Sequence, residues 1–285
     1  MTDEILQIRD LRIVGDTGSE SNYLVNGVSL RLERSQVLGM IGESGAGKTT
    51  IGLAALAYSR PGCAIVGGEI TFGGDSGVSG FPAVRMLRGR RVAYVAQSAA
   101  ASFNPSRTIY WQFCEMPEFF GVMSHDEAIK WAIELFRSLE LPSPETFGHR
   151  YPHQVSGGQL QRAMVAMAMS CRPDIIVFDE PTTALDVTTQ IEVLASIRKV
   201  IKEHGAAALY ISHDLAVVAQ IADQIMVLRH GRMVEYGPTA QILGAPREDY
   251  TRRLVSVRTA SHLNAKFNSE NPGAPILELS GIDAG

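Results

Sequence analysis

The densest chemistry in the chain lies in eight residues, Gly42-Glu43-Ser44-Gly45-Ala46-Gly47-Lys48-Thr49. Glycines at this spacing let a backbone wrap closely around an anion, so that successive N–H groups point inward. The apolar run Val37 to Ile41 before them reads as a buried strand. Thr50 to Tyr58 after them reads as a helix, whose N-terminus adds partial positive charge. In a strand–loop–helix of this pattern Lys48 reaches the β- and γ-phosphates, and the Thr49 hydroxyl ligates Mg²⁺. From average residue frequencies the pattern arises by chance in roughly one chain in a hundred, and the flanking strand and helix make it rarer. The loop is a nucleotide site.

Such a site needs an acid opposite the phosphates. Ile175-Ile176-Val177-Phe178 is a continuous apolar run suited to a parallel strand buried on both faces. It ends in Asp179-Glu180, at the carboxyl end of a strand, where open α/β sheets bind ligands. Asp179 suits the holding of Mg²⁺ through water, and Glu180 is placed to polarise an attacking water as general base. Between the two sites, Ser156-Gly157-Gly158-Gln159 has capping-box spacing before a helix that runs to about Ser170 and stops at Pro173. The ordinary reading is a glycine-softened helix cap. The sharper one is a second anion-binding helix N-terminus, with Ser156 and two backbone N–H groups open to a phosphate.

VSGGQ resembles the signature motif of ATP-binding-cassette (ABC) ATPases, and the family's other landmarks follow in order over residues 4 to about 257. Gln97 in VAYVAQS resembles the Q-loop glutamine, Ala184-Leu185-Asp186 the D-loop, and His213 in LYISHD the switch histidine. The resemblance implies an α/β P-loop fold: a RecA-like parallel-sheet core, an N-terminal antiparallel β subdomain and an inserted α-helical subdomain at about 98–170. It implies ATP and Mg²⁺ as ligands, with Gln97 near the metal and γ-phosphate and His213 holding the transition-state geometry. Two such domains dock head to tail, so Ser156 to Gln159 and Asp186 would serve a nucleotide bound on a second cassette.

SFNPSRTIYWQF, HRYPHQVSGGQLQRAMVAMAM, DEPTTALDVTTQIEVL and PREDYTRRLV look like the ATPase subunits of oligopeptide, dipeptide and nickel importers, a branch whose relatives also handle opines and glutathione. That implies two integral membrane permease partners, a periplasmic solute-binding protein acting indirectly, and a peripheral position on the cytoplasmic face of the inner membrane. An ATPase serving a soluble enzyme complex, such as carbon–phosphorus lyase, is the alternative. The repair type of nucleic-acid machine needs a long coiled-coil insert, which is absent from the sequence. Three departures from the branch stand out. There is no cysteine beyond Cys171, so no iron–sulfur cluster is expected. The adenine-stacking aromatic is not obvious in GDTGSESNYLV; Tyr23 is the candidate, the alternative being a strand residue facing the core. Val155 opens the signature where Leu is commoner, an apolar exchange.

The elements that must position these groups are partly legible. Residues 4–36 and 64–74 read as strand-rich; 37–58, 91–97 and 172–230 read as the parallel core with its helices. SHDEAIKWAIELFRSLEL reads as a helix with Ser124 as N-cap, Glu127 at N3 and an apolar stripe of Ile129, Ile133, Phe136 and Leu139. DQIMVLRHGRMVEYG reads as a hairpin turning at His230-Gly231. Residues 258–274 read as a polar linker, and Ile276 to Ile282 alternates as Ile5 to Leu11 does. The expectation is therefore a cassette over 1–257 and, at 275–285, the opening of a second cassette in a tandem chain. A net charge of −4 gives no whole-chain reason to expect nucleic-acid binding. No apolar run approaches the ~20 residues that span a bilayer, and the acidic N-terminus lacks a signal-peptide layout. The three cysteines have no metal-ligand spacing, which suits a reducing compartment.

Overall fold

The computed structural model describes residues 3–15, 23–73, 78–183 and 185–256. The linker and second-cassette expectations, and Ala184 of the D-loop, lie outside these residues.

Strands β1 (Glu4–Gly15) and β2 (Tyr23–Glu33) pair antiparallel, with Ile8 opposite Leu30. The buried positions of β1 switch from Leu6 and Ile8 to Leu11 and Ile13, a change of parity that simple alternation does not give. A register shift between Ile8 and Leu11 causes it, with Asp10 between them at φ 45°. The bulge lets one strand keep facing the core through its twist. The chain then enters β3 (Val37–Ile41) and helix α1 (Lys48–Ala55), and returns through β4 (Cys63–Phe72), β5 (Val78–Ser79) and α2 (Phe81–Arg85). The first sheet has the order β2-β1-β4-β5. Helix α1 begins two residues earlier than the sequence reading, directly after the left-handed Gly47, and ends three earlier at Ala55.

After β6 (Val92–Val95) comes the helical insert: α3 (Ala99–Ser102), α4 (Ile109–Phe119), α5 (His125–Ser138), α6 (Pro144–Phe147) and α7 (Gly157–Ala168). Ser124 and Glu127 form the expected capping box on α5. The stripe is rotated from the one expected. Ala128, Trp131, Ala132, Leu135, Phe136 and Leu139 are buried, whereas Ile129 and Ile133 are half-buried at its margin. Helix α5 touches α4, α6, α7 and α8, so its buried face is wide, and small alanines at its centre allow close approach.

The core follows with β7 (Ile175–Asp179), α8 (Val187–His204), β8 (Ala207–Ile211), α9 (Leu215–Ile221), β9 (Gln224–Arg229), β10 (Arg232–Pro238) and α10 (Thr239–Gly244). Its sheet has the order β10-β9-β3-β8-β7-β6. All neighbours are parallel except β10, the antiparallel arm of the hairpin, which turns at His230 and Gly231 with φ 48° and 70°. Strands β3, β7 and β8 are buried at every position, which is why they read as unbroken apolar runs. One apolar cluster fills the space between the two sheets, and another joins the opposite face of the core sheet to the insert. The core sheet is thereby held on both faces, and its carboxyl edge is left for chemistry.

Candidate active site

Each polar group expected to act leaves the sheet at the carboxyl end of a parallel strand. Lys48 and Thr49 follow β3, Gln97 follows β6, Asp179 ends β7 with Glu180 next, and His213 follows β8. Strands β3, β8, β7 and β6 are consecutive neighbours, so these groups converge on one edge.

The loop from Gly42 to Thr49 has three glycines at positive φ: Gly42 at 154°, Gly45 at 79° and Gly47 at 95°. At Gly47 a Cβ would lie 2.9 Å from the Leu24 carbonyl oxygen, so glycine is required for both conformation and space. Lys48 is buried, and its Nζ donates to the carbonyls of Gly42 (2.7 Å) and Glu43 (3.0 Å). Burial lowers the Lys48 pKa, and the charges of Glu180 and Asp179 oppose that shift. The ammonium is thus folded over its own loop, facing two acids.

Thr49 Oγ1 donates to Asp179 Oδ1 at 2.8 Å, and the Tyr94 hydroxyl donates to Asp179 Oδ2 at 2.7 Å. Burial, and then the hydrogen bond to Asp179, push the Tyr94 pKa well up, so it remains a donor. The juxtaposed hydroxyl and carboxylate are hard oxygen donors beside a phosphate loop, the donor set Mg²⁺ takes. The residues fit the ion.

Glu180 and Asp179 differ in their side-chain hydrogen-bond and ion-pair partners. Glu180 has a φ of 50°, a left-handed conformation that a non-glycine residue adopts at some cost, and such strain gathers at functional sites. Its N–H is held by the Ile211 carbonyl at 3.0 Å. His213 Nδ1 lies 3.1 Å from Oε1, while Thr183 Oγ1 donates to Oε2 at 3.2 Å and Gln97 Nε2 at 3.5 Å. The structure therefore brings Gln97 to Glu180 rather than to the Thr49–Asp179 pair. The carboxylate is oriented from three sides, an arrangement able to aim a general base.

Ser156 caps α7 in a reciprocal box. Gln159 N–H donates to its Oγ at 3.3 Å, and its own N–H donates to Gln159 Oε1 at 3.2 Å. The hydrogen bonds of this box stay within the loop. The two glycines differ: a Cβ at Gly157 meets nothing within 4 Å, whereas one at Gly158 would lie 2.4 Å from Thr189 Cγ2. Gly158 thus packs the loop onto α8, and Gly157 leaves the backbone open. Asp186 caps α8, accepting from Thr189 N at 3.0 Å and Thr189 Oγ1 at 2.6 Å, and these bonds lower its pKa. Tyr23 is exposed at the start of β2, so it does not face the core. The carbonyl of its neighbour Leu24 packs on Gly47.

Tyr94 and Thr183 were missed in the sequence. Tyr94 sits in an apolar strand, and only the β6–β7 register, with Tyr94 opposite Val177, brings it to Asp179. Thr183 was legible as one of two threonines that follow the acid pair and Pro181. The cysteines take no part. Cys114 and Cys171 are buried, and burial pushes the Cys114 thiol up to about 11.

Comparison with known proteins agrees with this geometry. The ABC transporter family model matches residues 25–183, which include the glycine loop, the signature stretch and the acid pair. The chain is 36% identical over 257 residues, 90% of its length and 78% of the relative's, to the "Probable D,D-dipeptide transport ATP-binding protein DdpD" of Escherichia coli (strain K12). It is 35% identical to the "Glutathione import ATP-binding protein GsiA" of Salmonella typhimurium, covering 89% of this chain and 42% of that one. Among solved structures it is similar to MJ0796, a bacterial ABC transporter cassette in dimeric form. The TM-score is 0.68 at 25% identity, over 82% of this chain and 99% of the other. A matched family model over more than half of the chain, relatives of this identity, and a phosphate loop facing an acid pair across adjacent strands place the chain in the ABC transporter family, as an ATP-binding cassette with ATPase activity.

Proposed function

We propose that the chain binds MgATP at Gly42 to Thr49 and hydrolyses it to drive an importer of peptides or peptide-like solutes. The observation that carries the catalytic half is the separation of two neighbouring acids into two tasks. Asp179 is engaged by Thr49 and Tyr94, and Glu180 by His213, Thr183 and Gln97. Lys48 would exchange its carbonyl partners for β- and γ-phosphate oxygens. Thr49 and Asp179 would hold Mg²⁺, Asp179 through water; the ion supplies charge neutralisation at the phosphates. Glu180 would accept a proton from the attacking water, its carboxylate held in line by His213. Tyr23, Ser44 and Thr50 complete the nucleotide contacts in this reading, with Tyr23 against the base. A second cassette would close the site, supplying its own Ser156 to Gln159 and Asp186 to the γ-phosphate.

The transport half rests on the relatives, whose names refer to dipeptide transport and glutathione import. No helix among the described residues is long and apolar enough to cross a membrane. In this reading a permease pair carries the solute. Met86 and Phe119 are exposed at 80% and 78%. The turn that follows α2 abuts the end of α4, since a Cβ at Gly89 would meet Met116 and Phe120. This apolar margin of the insert suits a permease contact. The test is reconstitution with a permease pair and solute-binding protein of the peptide-importer type. ATP hydrolysis should rise several-fold on adding a peptide ligand, and Phe119→Asp should abolish that stimulation. Hydrolysis indifferent to permeases and peptides would remove the importer assignment.

A further inference from the structure

Away from the strand ends, three side chains of unlike chemistry meet in the helical insert. Cys114 and Glu118 lie one turn apart on α4, so they share a face of that helix. His125 is the first residue of α5. The Cys114 Sγ, a Glu118 carboxylate oxygen and a His125 ring nitrogen all lie within 4.8 Å of one another. Within the set, His125 Nδ1 sits 2.5 Å from Glu118 Oε1. Cys114 is buried, whereas the Glu118 and His125 side chains are 44% and 60% exposed, so the sulfur forms a floor under an open rim. The backbone holds these positions in place. The N–H groups of Gly121 and Val122 donate to the carbonyls of Glu118 (3.0 Å) and Pro117 (2.8 Å), closing the end of α4, and the chain turns at Gly121 with φ 61°. The box of Ser124 and Glu127 then fixes the first turn of α5 and takes up the Glu127 carboxylate. Helices α4 and α5 pack on each other.

An exposed histidine–glutamate contact is by itself an ordinary surface ion pair, and a buried cysteine is by itself a small apolar filler. Together they set one sulfur, one nitrogen and one oxygen donor around a common point. We propose that Cys114, Glu118 and His125 bind a divalent transition ion of the zinc class, with water as the fourth ligand. Zn²⁺ takes these donor types at about 2.3, 2.0–2.1 and 2.0–2.2 Å in tetrahedral sites. Mg²⁺ and Ca²⁺ take oxygen donors, so they are poor occupants of this one. A tetrahedron with the zinc bond lengths sets neighbouring ligand atoms about 3.4–3.6 Å apart. The His125–Glu118 contact must therefore open by about 1 Å, a change that two side chains with exposed ends can make. Cys114 binds as thiolate, and its proton leaves to solvent. Spacing among the cysteines does not reveal the site, because only one of them contributes. The ion would join α4 to α5 beside the exposed Phe119, away from the groups proposed for hydrolysis.

The test uses the 285-residue chain, stripped of metal by a chelator, kept reduced and free of nucleotide. Titration with Co²⁺, a spectroscopic stand-in for Zn²⁺, should give a thiolate-to-cobalt charge-transfer band that saturates at one ion per chain. One equivalent of Zn²⁺ should abolish the band. Cys114→Ser should lose it, and Asp179→Asn should keep it, which separates this site from the nucleotide edge. His125→Ala and Glu118→Gln alter exposed groups, so the metal-free variants should fold with Tm close to wild type. Each should weaken Zn²⁺ binding, measured against a chromophoric chelator, by at least the ~10–100-fold that loss of an outer-shell partner costs. If Cys114→Ser does not fold, the affinity of His125→Ala decides. A wild-type chain without the charge-transfer band, a band that survives Cys114→Ser, or unchanged Zn²⁺ affinity in His125→Ala overturns the proposal.

Discussion

Lys48, Thr49, Asp179, Glu180 and His213 were legible as candidates because each belongs to a short pattern whose spacing fixes its neighbours. What the sequence could not give is how two adjacent acids divide their partners. That depends on strand register and on the left-handed turn at Glu180, both tertiary facts. Tyr94 shows the same limit: a tyrosine in VAYV reads as core until β6 is laid beside β7. Two predictions belong to this scale. Lys48→Ala should weaken MgATP binding by about tenfold or more in equilibrium titration, because the buried ammonium proposed to meet the phosphates is lost. Tyr94→Phe should leave Asp179 Oδ2 without its donor. It should raise the Mg²⁺ concentration needed for half-maximal hydrolysis about three- to tenfold at fixed ATP, with Tm lowered by no more than a few degrees.

At the scale of elements, caps and apolar runs were legible because they are local. Ser124 with Glu127 and Ser156 with Gln159 close as their spacing demands. The rotated stripe of α5 and the bulge in β1 were not, since both answer to what packs against them. The signature glycines carry a contrast that local reading also lacks. Gly158→Ala should destabilise the fold by about 1–3 kcal/mol in denaturant unfolding, because its Cβ meets Thr189. Gly157→Asp should leave both the fold and monomeric MgATP binding intact, yet abolish hydrolysis in the assembled transporter. Glu235 supplies a pH signature. Burial tends to raise its pKa, but hydrogen bonds from the Arg247 and Glu248 N–H groups and from Gln241 Nε2 hold it down at about 2. A depressed carboxylate contributes stability above its ordinary 4.5 and loses it as pH falls toward about 2. The stability gap between wild type and Glu235→Gln, followed by urea unfolding, should therefore be largest above pH 4.5 and shrink below it.

For the whole molecule, the sheet held between two apolar clusters presents four strand ends on one edge, and the groups proposed for hydrolysis gather there. The fold class was implied by the family resemblance of the motifs, while the residues themselves showed the buried parallel strands as unbroken apolar runs. In the proposed division of labour Glu180 is the base and Asp179 the metal-side acid of one ATP-hydrolysing edge. The most direct measurement pairs MgATP titration with single-turnover hydrolysis for Glu180→Gln, which keeps the size of the side chain and removes its basicity. The account predicts wild-type MgATP affinity with hydrolysis reduced ~10²–10⁴-fold. Hydrolysis within a few-fold of wild type would contradict it.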